Sequence, residues 1–416
     1  MYRIYLFFIT LITLCSQSPQ EVYSKSNSEL RKGYNEEKAG RYQSAITHYK
    51  NYLTLRPNHI RGLYRLAYVY NTLNDTKNVS YYLTKISEQN VSLGEKALKR
   101  FSSLPEETLT YHLQTDRAIT NIKADIKNAF SLNEKEQLIE SVAYHKPNKE
   151  FFISSVSSKK IYSYKHGKWS VFSNPSDKLS GVFSLKVSPD QRFLWASISS
   201  ISQAKDSTNT YGLVKYDLKL RKRVETYLLK DSLEHVFGDF ILSETGDVYI
   251  SDSKQNIIYQ LKTSTKTISP FFKTPFFVSM QGLSFMNNEK DLLVADYTEG
   301  LFKLNLETKE IVKITSLQPL SLRGIDGIYP YKDSFILVQN GIYPNRVLQI
   351  SLKKHSIVAS EIKAINHPMI NDPTLGQVVD NSFYFIGNSQ WAGFKENGDK
   401  NPRYTFQNPT ILKCTL

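Results

Sequence analysis

Val278 to Ile314 reads VSMQGLSFMNNEKDLLVADYTEGLFKLNLETKEIVKI, and the fold follows from its pattern. Gly282 marks a turn before an apolar run through Leu283 and Phe285, Asn287 to Lys290 is a polar turn, and Leu292 to Ala295 is a continuous apolar strand. Glu299-Gly300 turns the chain again into the alternating run Leu301 to Leu306, and Ile311 to Ile314 closes the unit. Four short strands joined by tight turns form one antiparallel meander, the unit of a propeller blade. A lone blade leaves both of its faces in water, so further copies are required.

Working outward, five more starts align with this one. They are Glu140-Ser141-Val142-Ala143 before FFISS, Gly181-Val182-Phe183-Ser184 before FLWAS, Gly238-Asp239-Phe240-Ile241 before VYISDS, Asp326-Gly327-Ile328-Tyr329 before FILVQN and Asp372-Pro373-Thr374-Leu375 before FYFIGNS. Their spacing is that of propeller blades. One longer step leaves Ser200 to Thr210 as an insertion loop. The terminal ILKCTL alternates and is expected to complete the sixth blade, which removes the exposed sheet edge.

Upstream the period changes. Gly33, Gly40, Tyr42, Ala45, Tyr49, Leu53 and Pro57 are spaced as two antiparallel helices, with small residues where the helices cross. This spacing resembles the tetratricopeptide repeat of about 34 residues. A degenerate second copy places Leu63, Leu66, Ala67, Tyr70, Val79, Leu83 and Ile86 on the same faces, and Ala97, Phe101, Ile119, Ile122, Ile126 and Phe130 suggest capping helices beyond it. The expected fold class is therefore α+β multidomain: a tetratricopeptide-like α-helical solenoid over residues 26–130 and an all-β six-bladed propeller over residues 138–416. At 416 residues the chain exceeds what one hydrophobic core usually serves. No flexible linker separates the two parts, so they are expected to pack together.

The first 18 residues carry Arg3 and then an apolar run from Ile4 to Leu14. At about 11 residues the run is too short to span a bilayer and fits a secretory signal. Ile12-Thr13-Leu14 before Cys15 resembles a bacterial lipobox, which implies lipidation at Cys15, although Leu14 replaces the usual small residue. The expectation is an exported protein, in the periplasm or on the outer membrane as a lipoprotein, touching membrane only through that anchor. Lys and Arg number 53 against 39 Asp and Glu, a formal charge of +14. The charges are scattered, with one dense run at Lys219 to Arg223, so anionic envelope polymer is a better match than nucleic acid.

No nucleophile elbow, phosphate loop, dinucleotide fingerprint, HExxH motif or Cys/His metal cluster occurs, and the eight histidines are isolated. What remains is the set of residues that begin the innermost strands, which converge at one mouth of a propeller. Glu140, Asp239, Gln281, Asp326 and Asp372 are those residues, and carboxylates with an amide oxygen suit a hard cation. The same residue types also cap turns. Arg323, Gln339, Asn340 and Asn388 are further candidates for binding a small polar ligand, the amides lying near Pro344-Asn345-Arg346 and Trp391.

YISDS, GLSF before LLVADYTEGLFKLNL, and GIDGI before FILVQNG resemble the gluconolactonase and senescence marker protein family, and more loosely strictosidine synthase-like propellers. The resemblance covers residues 138–416 and implies a divalent cation, calcium or zinc, at Glu140, Gln281 and Asp326, and metal-dependent hydrolysis of a lactone or ester. Gln281 stands where the family has Asn, and Gly238 where a second Asn would assist substrate; Asp239 beside it is the substitute. With two positions altered, the sequence reading favours a binding or scaffold protein: helical repeats for a protein partner and a propeller mouth for a small polar ligand. The hydrolase is the alternative.

Overall fold

The computed structural model describes residues 19–121, 125–318 and 320–416. The signal-peptide expectation and Cys15 lie outside them. Six helices come first: α1 (Pro19–Lys38), α2 (Tyr42–Leu55), α3 (Ile60–Thr72), α4 (Thr76–Ser87), α5 (Glu95–Leu98) and α6 (Glu106–Thr120). Helix α1 packs on α2 and α3 on α4. Ala45, Tyr49, Leu63, Leu66, Ala67, Val79, Leu83 and Ile86 fill the core between them. A Cβ on Gly33 would come within 2.5 Å of the Tyr49 ring, so only glycine lets α1 approach α2 there.

Six antiparallel sheets follow, arranged as the blades of one propeller. Their innermost strands are Ile139–His145, Gly181–Val187, Phe237–Leu242, Met280–Met286, Ile325–Tyr331 and Gly376–Val379. Each packs against the next around the axis, and the sixth returns to the first. Blade five also takes Thr315–Ser316 as a fifth, parallel edge strand beside Ser356–Ile365.

The ring closes between chain ends. Thr410–Thr415 pairs with Ser382–Ile386 on one side and with Ile126–Ser131 on the other. This corrects the helical assignment of Ile126 and Phe130, and the propeller begins with them. Apolar residues four apart fit a helix face and equally one face of a strand. Only the open edge of the last strand decides between the two. Ile122 lies outside the described residues.

The helical unit docks on the face where the innermost strands begin. Met280 pairs with Asp296 and Ile325 with Gln339, so the turns after Asp296 and Gln339 lie at that face. Both turns receive helical partners: the Arg56 Nη2 donates to Thr298 O at 2.9 Å, and Ser92 N donates to Tyr343 O at 3.0 Å. Ile342 packs against the helical core.

Candidate functional site

Local strand geometry builds the site. In blades one to five the register between the innermost strand and its neighbour slips near the strand's start: between Ile139 and Val142, Val182 and Leu185, Phe237 and Asp239, Met280 and Leu283, and Ile325 and Gly327. Each slip is a β-bulge, which lifts its extra residue out of the ladder and re-aims it. The bulged positions include Glu140, Phe183, Gly238, Gln281 and Asp326, and all five line one axial cavity of about 330 Å3. Asp239, Tyr297, Asn340, Asp372 and Trp391 complete most of its wall.

Glu140 and Asp326 are buried in this wall. Burial raises the Glu140 carboxyl well above its ordinary range, and the charge of Asp326 raises it further, while the bond from Trp391 acts the other way. Burial likewise raises Asp326, helped by Asp372 and Asp239 and opposed by Asn340. Trp391 Nε1 donates to Glu140 Oε2 at 2.8 Å, and Asn340 Nδ2 lies 3.4 Å from Asp326 Oδ2. The Asn340 Oδ1 is buried without a partner. Two carboxylates that resist ionisation, beside an orphaned amide oxygen, form a wall that a proton or a hard cation would relieve.

Other candidates have structural work. Asp239 lines the cavity beside Gly238, but it pairs with Lys186 Nζ at 3.2 Å and accepts from Ser184 Oγ at 2.7 Å, so its charge is already answered. Asp372 reaches the cavity but accepts from Ser389 Oγ at 2.6 Å and Trp391 N at 3.1 Å. Gln339 and Asn388 do not line the axial cavity. Gln339 is fully buried, donates to Ser321 O and Arg323 O, and accepts from Arg346 Nε. Asn388 bridges Asn408 O and Thr410 N. Arg323 faces a different cavity, away from Asp326. Their polarity satisfies buried backbone groups, a use that sequence cannot separate from recognition.

The aspartates of YISDS and LLVADY are also structural. Asp252 accepts from Val236, Lys254 and Gln255 backbone amides, and Asp296 from those of Val278, Ser279, Thr298 and Glu299. Sequence reasoning missed Phe183 and Tyr297, and raised Trp391 only as the aromatic beside the Asn388 amide. The only signal for Phe183 was its place two residues into an aligned blade start.

The donor set suits a hard cation: carboxylates at Glu140 and Asp326 and amide oxygens at Gln281 and Asn340. Among the described residues no three His, Cys, Asp or Glu side chains form a ready-made metal cage. Among the described residues no helix is long and apolar enough to cross a membrane.

Fold and site together define a six-bladed propeller with an acid-lined axial cavity and a six-helix unit on the same face. No protein-family profile matches the sequence, and no curated protein matches it. Among solved structures, the chain is similar to the PQQ-bound aldose sugar dehydrogenase of Streptomyces coelicolor, at 14% identity over 70% of this chain and 98% of that one, with a TM-score of 0.48. It is similar to a gluconolactonase of Xanthomonas campestris at 10% identity over 68% and 88%, TM-score 0.46. A virginiamycin B lyase of Staphylococcus aureus aligns at 14% identity over 71% and 100%, TM-score 0.45. These likenesses concern architecture, and the chemistry rests on the residues of this chain.

Proposed function

We propose that the axial cavity hydrolyses a lactone or ester of a small polar acid, with Glu140 and Asp326 as its working carboxylates. The observation that supports this most is the series of bulges that turns Glu140, Gln281 and Asp326 from three blades into one buried cavity. Asp326, Gln281 and Asn340, beside Glu140, are the residues that would hold a divalent cation, calcium or zinc. When bound, such an ion would polarise the ester carbonyl.

The chain's own groups supply the proton handling. A carboxyl raised by burial is a competent base nearer neutral pH than an exposed one. Trp391 holds one oxygen of Glu140 and leaves the other, Oε1, to take the proton of an attacking water and return it to the leaving alkoxide. Trp391 and Phe183, with ring centres 6.2 Å apart, wall off one side of the cavity and limit solvent there. Asp326, adjusted by Asn340, would carry its negative charge against a bound cation.

The test is direct. Metal content after dialysis, melting temperature with added calcium or zinc, and hydrolysis of a lactone and aryl-ester panel are measured for the native chain, Glu140→Gln and Asp326→Asn. Loss of a proton-transfer group should lower the rate about a hundredfold or more. Absence of metal, of a thermal shift and of any hydrolysis in the native chain would sink the proposal.

A second reading, a scaffold whose helices dock a protein partner, is supported by the exposed Tyr34, Tyr68, Tyr81 and Tyr111. Tyrosine is enriched where proteins meet. Tyr81→Ser with Tyr111→Ser should then release a co-purifying partner. Export and lipidation stay proposals from residues 1–18, checked by the mass of the mature chain.

A further inference from the structure

A second cavity, of about 430 Å3, lies where the helices meet blades four and five. Its wall includes Arg56, Arg61 and Arg323 with Tyr23, Tyr52 and Tyr297, and none of the described residues lining it is acidic. Arg56 comes from the end of the second helix, Arg61 from the third, and Arg323 from the chain entering blade five, so the cluster exists only across the junction.

These cations are incompletely answered. The Arg56 side chain is 5% exposed and pairs with Glu299 at 3.0 Å, but Glu299 is also held by Lys313 at 3.2 Å. The Nε of Arg56 is buried without a partner, as is the Nδ1 of His59 in the same wall. Arg323 spends its Nε on Thr298 O at 3.1 Å, a neutral acceptor. Burial and then the neighbouring Arg56 lower the Arg323 pKa, and burial followed by the charges of Arg323, Arg56 and Arg61 pulls His59 down to about 3. Buried Arg56, half-buried Arg323 and exposed Arg61 at the rim, beside unpartnered polar atoms, make a site that an anion would complete.

We propose that this junction binds a small oxyanion-bearing ligand, a carboxylate or a phosphate, between the helices and the propeller. Arg61 and Arg323 take the oxyanion, Arg56 Nε and, in its Nδ1–H tautomer, His59 supply the remaining hydrogen bonds, and Tyr23, Tyr52 and Tyr297 pack against the body of the ligand. Because its groups come from both parts of the chain, the ligand also fastens one to the other. The site is independent of the hydrolytic reading.

The full chain is titrated with inorganic phosphate and, separately, with glucuronate, by calorimetry and thermal shift against a chloride control. Saturable binding and a raised melting temperature are expected for at least one of them, and which one responds identifies the oxyanion. Arg61→Gln should weaken that binding about tenfold, equivalent to about 1.4 kcal/mol. Arg323→Gln should weaken it as much, and Arg61 guards the result against undocking because it is solvent-exposed and, among the described residues, makes no hydrogen bond or ion pair to the propeller. Glu140→Gln should leave binding intact. The proposal is overturned if neither anion binds, if Arg61→Gln and Arg323→Gln bind as the native chain does, or if Glu140→Gln abolishes binding.

Discussion

The axial cavity gathers Glu140, Asp326 and Asp372 with Lys186 behind Asp239, whereas the junction cavity gathers Arg56, Arg61 and Arg323, of which Arg56 alone pairs with a glutamate, one that Lys313 shares. Tyr297 lines both and stands between them. Each wall concentrates charge of one sign, and each leaves a buried polar atom unpaired, Asn340 Oδ1 in one and Arg56 Nε in the other. The difference lies in how the walls are made. The acidic wall comes from equivalent positions of a repeated sheet, so the ring itself fixes it. The basic wall depends on two unlike parts staying docked.

That contrast can be broken most severely at the junction. Glu299→Ala leaves Arg56 buried and unpaired, which should cost about 3–5 kcal/mol in urea denaturation. It should also expose the helices to limited proteolysis before the propeller. An unchanged denaturation midpoint would mean that the pair does not hold the junction.

The axial wall should instead respond to pH. Asp326 binds its proton more tightly folded than unfolded, so its contribution to stability is full below its ordinary value of 3.8 and is lost as pH rises through the folded value, pushed up to about 7. Each unit of that rise is worth about 1.4 kcal/mol. The metal-free native chain should therefore melt lower as pH climbs through this interval, Asp326→Asn should flatten the curve, and a bound divalent cation should restore the loss. A rising curve would contradict the burial of an uncompensated carboxylate.

Smaller effects sharpen the role of the bulges. A Cβ on Gly282 would lie 2.7 Å from Asp326 O, so Gly282→Ala should cost about 1–3 kcal/mol by forcing blades four and five apart. The measurement is again chemical denaturation, with cation affinity falling in parallel. By contrast, a Cβ on Gly238 would meet only Gln281 Oε1, at 3.8 Å. Gly238→Asn should therefore change stability by no more than about 0.5 kcal/mol while adding an amide to the cavity. Tighter cation binding in that variant would tie the bulged ring to the ion, and a large loss of stability would show the space to be needed empty.

The sequence by itself determined the repeated element. Alternation and turn residues in Val278 to Ile314 recur often enough to count six blades, and Gly33 opposite Tyr49 announces a close helix crossing, because backbone period and side-chain size are local properties. Glu140, Gln281 and Asp326 were legible as strand starts for the same reason. Tertiary structure alone decided that bulges aim them inward, that Lys186 has claimed Asp239, that Gln339 answers Arg346, and that Ile126 and Phe130 form a strand. A side chain on a strand changes face with a shift of one residue, and the partner strand sets that register. The Arg56, Arg61 and Arg323 cluster lay further beyond reach, since more than two hundred residues of chain (Arg61 to Arg323) separate groups that only docking brings together.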